Sequence, residues 1–153
     1  MTPLEPGQLG VMRVHALMTG IFLLGMALVG ETGLAAAFDL PFGLVLAPIA
    51  VLLVYPVLIG PARRYRAWGY DMGDEELRIA HGVWTQVETH VPLARVQHID
   101  VSQGPIERSF KVCRLILHTA GTANSRIVLP GLARGTAEAI RDEVRARIRL
   151  EEA

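Results

Sequence analysis

The 153-residue sequence has one cysteine, Cys113, which excludes an intramolecular disulfide and any multi-cysteine metal site. Charge of either sign is nearly missing from the first 60 residues. Glu5, Arg13, Glu31 and Asp39 are the charges there, while 14 of the 15 basic and 12 of the 15 acidic residues follow Gly60. The balance of 15 against 15 leaves no global field of the kind that binds nucleic acid, so that partner class is set aside. No G-x-S-x-G elbow, Walker loop or dinucleotide fingerprint occurs. The five histidines (His15, His81, His90, His98 and His118) show no H-x-x-x-H spacing. Asp74-Glu75-Glu76 reads as a solvated hairpin tip rather than a catalytic acid pair. These absences predict a protein without catalytic residues, metal or cofactor. Cys113, in the run Val112-Cys113-Arg114-Leu115-Ile116-Leu117, reads as a packed structural thiol.

What is present is apolar length. Val14 to Gly30 and Leu40 to Ala62 carry no formal charge, and a helix of about 20 such residues crosses a hydrocarbon core of about 30 Å. A transmembrane hairpin is expected over residues 1–62, with spans at about 12–31 and 41–60, followed by a second domain over 63–153. The first span reaches full length by taking in Val11 and Met12 or by running past Glu31 through Ala35-Ala36-Ala37. A cleaved signal peptide is the rival for the first segment, with Arg13 as its basic region. Twelve residues before that first basic residue argue against it. Arg63, Arg64 and Arg66 follow the second span and Arg13 precedes the first, whereas the connection offers Glu31 and Asp39. The positive-inside bias then predicts a two-pass protein of the inner (cytoplasmic) membrane with both termini cytoplasmic. Asp39 with Pro41 is expected to open the second helix, and Pro48 and Pro56 to bend it. Gly20, Gly25 and Gly30 read as ordinary membrane glycines, and Glu31 as an interfacial loop acid.

Beyond Arg66 the periodicity becomes that of strands. Strands are expected at Ala67–Met72, Leu77–Ala80, a run from Val83 with Val87 and Val91 on one face, Val96–Ser102, Arg114–Thr119 and Arg126–Leu129. Gly73-Asp74-Glu75, His81-Gly82 and Gly121-Thr122-Ala123-Asn124 supply turns. From Thr136, read as an N-cap, Ala137, Ile140, Val144 and Ile148 recur at helical spacing. Six or seven strands before one amphipathic helix indicate an α+β domain, a strongly bent sheet or open barrel plugged by the helix.

Pro92-Leu93-Ala94-Arg95-Val96-Gln97-His98-Ile99-Asp100-Val101-Ser102-Gln103-Gly104-Pro105, then Arg108, then Leu117-His118-Thr119-Ala120-Gly121 resembles the YdbS-type membrane-flanked domain, the bacterial pleckstrin-homology-like family. The resemblance covers Arg64 to about Arg149. It implies a pleckstrin-homology-like open β-barrel capped by a C-terminal helix, behind a pair of membrane helices. One departure is visible: the family commonly has a glycine where Ser109-Phe110-Lys111 stands, and glycine suits a left-handed turn that Lys111 adopts less readily. The resemblance implies a membrane-anchored interaction or scaffold module whose partner is a membrane protein, such as a larger relative with repeated copies of the domain, in a complex of envelope defence. Self-association is compatible with it, and the bilayer itself is the other partner. A lipid-binding sensor is the alternative, and a membrane enzyme the least supported reading. Arg95, Gln97, Gln103, Arg108 and the exposed face of Trp84 are the candidate recognition residues; the first four have an equally ready structural role, bonding backbone carbonyls where a sheet bends. Against phosphoinositide binding, the turn taken as the domain's first hairpin, Gly73-Asp74-Glu75-Glu76, carries three acids.

Overall fold

A computed structural model of the chain describes residues 1–120 and 126–151, the side chains of 148–151 apart. It divides into two compact units, Met12–Arg63 and a second formed by Met1–Val11 with Arg64–Ala153.

The first unit is a helical hairpin. Helix α1 (Pro6–Phe38) takes both of the extensions that the sequence allows. Gly7–Phe38 and Leu46–Arg66 are each long and apolar enough to cross a membrane. Their apolar side chains face outward, Ile21, Phe22, Val29, Val51 and Leu52 among them, the inverse of a soluble core helix. Asp39 does not open the second helix. Its φ is +53°, and its N–H donates to Ala35 O at 3.0 Å. A short polar side chain tolerates that left-handed conformation, so Asp39 ends α1 instead. Helix α2 (Leu46–Val54) begins after a turn.

Glu31, read as a loop acid, lies within α1 and is 2% exposed. Its carboxylate accepts the backbone N–H of Gly43, of Val45 at 3.5 Å and of Leu46 at 3.1 Å. The amides of Gly43, Val45 and Leu46 lie at the positive end of α2, where an anion satisfies groups that the helix itself does not.

Of the two prolines, Pro48 sits in the first turn of α2, where proline is tolerated. Pro56 lies in a π turn, Tyr55–Ile59, in which the Gly60 N–H reaches back to Tyr55 O. The widened turn absorbs the missing donor and the ring, and the chain continues as α3 (Gly60–Arg66). Gly20 marks the close approach of the two helices: a β-carbon there would lie 2.8 Å from Val57 Cγ2, whereas Gly25 and Gly30 face open space.

The second unit holds two antiparallel sheets that do not close into a barrel. Sheet A is ordered β1 (Thr2–Pro3), β2 (Gly69–Met72), β3 (Glu76–His81), β4 (Val87–Pro92), and sheet B is β5 (Val96–Ser102), β6 (Cys113–Thr119), β7 (Arg126–Leu132). A 3₁₀ turn, Leu93–Arg95, joins the sheets. A one-turn helix α4 (Pro105–Ser109) joins β5 to β6, and α5 (Arg134–Glu151) follows β7. Leu77, Ile79, Val91, Ile99, Leu115, Leu117 and Leu129 form the core, with Ala137, Ile140 and Val144 of α5 packed into it.

The sequence did not reveal β1. Thr2 pairs with Tyr70 and Pro3 with Gly69. Leu4 is buried, Glu5 N–H donates to Gly131 O at 2.8 Å, and Tyr65 Oη–H donates to Leu4 O at 2.8 Å. The first eleven residues, counted with the hairpin in the sequence, thus pack with the sheets. The helical hairpin is consequently the connection between β1 and β2, and the acidic turn at Gly73 joins β2 to β3, so it is not the first hairpin of the domain.

The expected starts of one strand and of the last helix move. Strand β4 starts at Val87, because Gly82, at φ +111°, turns the chain immediately after His81; Val83 and Trp84 lie in the tip. Val91 is buried while Val87 is exposed. Helix α5 starts two residues before Thr136, with the Ala137 N–H donating to Ala133 O, so Thr136 lies inside the first turn rather than capping it. The expected Gly121–Asn124 link and the side chain of Ile148 lie outside the described residues.

Candidate functional site

The middle of the motif, Gln103 to Arg108, folds into a closed turn between β5 and β6. Gln103 Nε2 donates to Val112 O at 2.8 Å. Gly104 N–H donates to Glu107 Oε2 at 2.6 Å, the carboxylate half of a capping box, with Pro105 at the first helical position. Arg114, on β6, donates from Nε and Nη2 to Glu107 Oε1, both at 2.8 Å. Glu107 is therefore a buried carboxylate with both oxygens satisfied. Sequence reasoning missed it, although the G-P-x-E spacing was a legible capping signal. Lys111 closes the turn at φ +57°, a left-handed conformation that glycine adopts without steric cost.

The candidate recognition residues separate. Arg95 ends the 3₁₀ turn and its carbonyl accepts the Ala120 N–H at 2.9 Å. Gln97 is the extra residue of a β-bulge between the pairs Val96–Thr119 and His98–His118, and a bulge re-aims a side chain. Gln103 and Arg108 lie beyond the other end of β5, a strand that spans roughly 20 Å at about 3.3 Å per residue. Arg95, Gln97 and Arg108 are exposed, and none makes a side-chain hydrogen bond or ion pair among the described residues. Trp84 is apart from all four, in the β3–β4 tip of sheet A. Of the flanking basic residues, Arg13, Arg63, Arg64 and Arg66 are all exposed, and Arg63 Nη1 donates to Tyr55 Oη at 2.8 Å.

The two ends of sheet A differ in chemistry. At the end where β2 begins, the Trp68 ring stacks on His81 with centroids 4.7 Å apart and planes 24° from parallel. A cavity of about 630 Å³ there is lined by Met1, Arg66, Trp68, His81, Gln86 and Glu88, among others. At the opposite end the Gly73–Glu76 turn borders a second cavity, of about 640 Å³, with Arg78 and Arg147. Arg147 Nη2 lies 3.5 Å from Asp74. Hydrogen bonds from Arg78 at 2.6 Å and His90 at 3.1 Å hold the Glu76 carboxyl below its usual range.

His98 and His118 face each other across β5 and β6, both directed at Asp100, at 2.8 and 3.5 Å. No group of three or more metal-ligating side chains arranged to hold an ion occurs among the described residues. Cys113 is buried with its Sγ 3.4 Å from Leu132 O, and burial pushes its thiol pKa up, the reverse of a reactive thiolate.

The family model described as Bacterial PH domain matches residues 14–148. The chain is 32% identical over 91 residues to the UPF0699 transmembrane protein YdbS of Bacillus subtilis (strain 168), covering 60% of this chain and 55% of that one. It is 28% identical over 82 residues to the UPF0699 transmembrane protein YdbT of the same organism, covering 53% of this chain and 17% of that one. The matched segment thus spans about half of the first relative and a small part of the second. No solved structure matches the chain.

Proposed function

The chain belongs to the bacterial PH domain family as a transmembrane member, and from that premise we propose that it is a non-enzymatic interaction module anchored at the inner face of the bacterial membrane. The observation that carries this reading is the division of the motif's polar side chains. Gln103 and Glu107 spend their hydrogen bonds inside the turn, while Arg95, Gln97 and Arg108 are exposed and make no side-chain bond among the described residues. Exposed polar groups along the edge strand β5 and in the turns at its two ends suit a protein partner. A larger transmembrane protein that contains the same module is the partner class favoured, because the segment shared with YdbT is 17% of that protein. Neither relative's name is that of an enzyme.

Affinity purification of the full chain in mild detergent, after cross-linking in cells, tests the reading. The wild type is expected to retrieve a membrane protein in fixed ratio, and the Arg95→Ala, Gln97→Ala, Arg108→Ala variant to lose it without a change in melting temperature. Recovery of lipid alone by the wild type would replace this reading with the lipid-sensor alternative.

A further inference from the structure

We propose that the β3–β4 tip, residues 82–86 with Trp84 in it, is a second membrane contact of this chain, seated in the headgroup layer of the bilayer that its own spans cross. Trp84 is 84% exposed, more than any other large apolar side chain among the described residues; Leu52, on an apolar helix, follows at 75%. One exposed apolar residue is ordinary on a soluble surface. Position is what distinguishes this one.

Register places the tip at the end of sheet A where the chain arrives from the second span. Gly69 pairs with Ala80 and His81 with Val87, so the tip projects past the start of β2. Arg66 closes the span, and Ala67 and Trp68 alone separate it from Gly69. At no more than about 3.6 Å per residue, that link holds the start of β2 within roughly 11 Å of the span's last residue. Trp68, stacked on His81, ties the same link to the base of the tip.

Charge divides the two ends of the sheet in the sense a membrane requires. The far tip carries Asp74, Glu75 and Glu76, which an anionic leaflet repels. The near tip, Gly82-Val83-Trp84-Thr85-Gln86, carries no charge, and Arg66 lines the cavity beside it. Glu88, on β4, and Glu5, just after β1, are acids at this end. Both tryptophans of the chain are here, and indole, apolar in body with one N–H donor, favours the bilayer interface. The presentation is fixed as well. Gly82 holds φ +111°, and a β-carbon there would lie 1.9 Å from Thr85 O, so the turn keeps one tight shape.

The full chain, purified and reconstituted at one copy per lipid nanodisc, decides the matter. In a Trp68→Phe variant Trp84 is the sole tryptophan; if that variant misfolds, the difference between the wild type and Trp84→Phe isolates the same signal. Phosphatidylglycerol–phosphatidylcholine discs brominated near the headgroup are expected to quench Trp84 about twofold more than discs brominated near the chain ends, as an interfacial indole requires. Aqueous acrylamide should quench it less than it quenches free tryptophan. Full acrylamide access without bromine quenching would overturn the proposal. So would shielding that appears only with two copies per disc and without bromine quenching, which would make the tip an interface between copies. Apart from a tryptophan-free disc scaffold, no other protein is present in this assay, so its outcome is separate from that of the partner search.

Discussion

Phe110 covers Gly10 so closely that a β-carbon on Gly10 would lie 2.3 Å from Phe110 Cε1. The first turns of α1 thereby lie against the loop after α4, and Gly7, one turn earlier, meets the Phe110 carbonyl at a similar separation. Gly10→Ala is expected to destabilise the protein by about 1–3 kcal/mol through overpacking. Phe110→Ala, which opens the space, should reduce that penalty in the double variant, a non-additivity typical of residues in contact. Gly7→Ala meets backbone, and Phe110→Ala should not rescue it. Thermal melts of the four variants in detergent check this, and strict additivity at Gly10 would mean that the segment does not dock as described.

Glu107→Ala removes the cap on Gly104 and the acceptor of Arg114 together. Hydrogen bonds to a charged group contribute about 1.5–3 kcal/mol each in net terms, but Arg114 is partly exposed and regains water. A loss of about 2 kcal/mol is expected. Glu107→Gln keeps an acceptor for Gly104 and should lose about half as much. Equal losses for the two variants in denaturant titrations would assign the stability to the ion pair rather than to the cap.

Orientation rests on Arg63, Arg64 and Arg66, all exposed at the end of the second span. A phosphatase that is active only in the periplasm, fused after Ala153, is expected to be inactive. Changing the three arginines to glutamate should give a mixed population, since basic residues close to a span set its direction. Full activity of the wild-type fusion would reverse the topology.

Long periodic signals were legible in the sequence. Strand β5 has the bounds that alternation gave, Val96–Ser102, and Ala137, Ile140 and Val144 are buried as helical spacing required. What was illegible depends on partners distant in sequence. Strand β1 is two residues long and exists through β2, more than sixty residues on. The acceptors on Glu31 serve amides 12 to 15 residues later, so its own neighbours gave no sign of them. At the tip, the four-residue spacing of Val83, Val87 and Val91 mimicked one strand face, and only the positive φ of Gly82 shows that the strand starts later. The motif residues stood out in the sequence, yet type alone does not separate Gln103, bonded inside the turn, from Gln97, turned outward by a bulge.

Lys111 is the position where sequence and backbone disagree most. Its φ of +57° puts a β-carbon against the following carbonyl, a strain of about 1–2 kcal/mol that glycine avoids. The conformation persists because the turn is fixed on both sides. Lys111 N–H donates to Arg108 O at 3.1 Å and Val112 N–H to Glu107 O at 3.0 Å, and Phe110 is seated on Gly7 and Gly10. Glycine at 111 relieves the strain but frees the unfolded chain, which returns about 0.4–1 kcal/mol of it. Lys111→Gly should therefore stabilise the protein by about 0.5–1 kcal/mol. Lys111→Asn, which removes the charge but tolerates the left-handed region, should be close to neutral. Lys111→Val, branched at the β-carbon, should lose about 1–2 kcal/mol. A charge effect would instead move all three variants in one direction and fade with added salt. Melting temperatures ordered Gly, then Asn, then Val, and unchanged by salt, are the expected result; the same shift for all three would remove backbone strain as the cause.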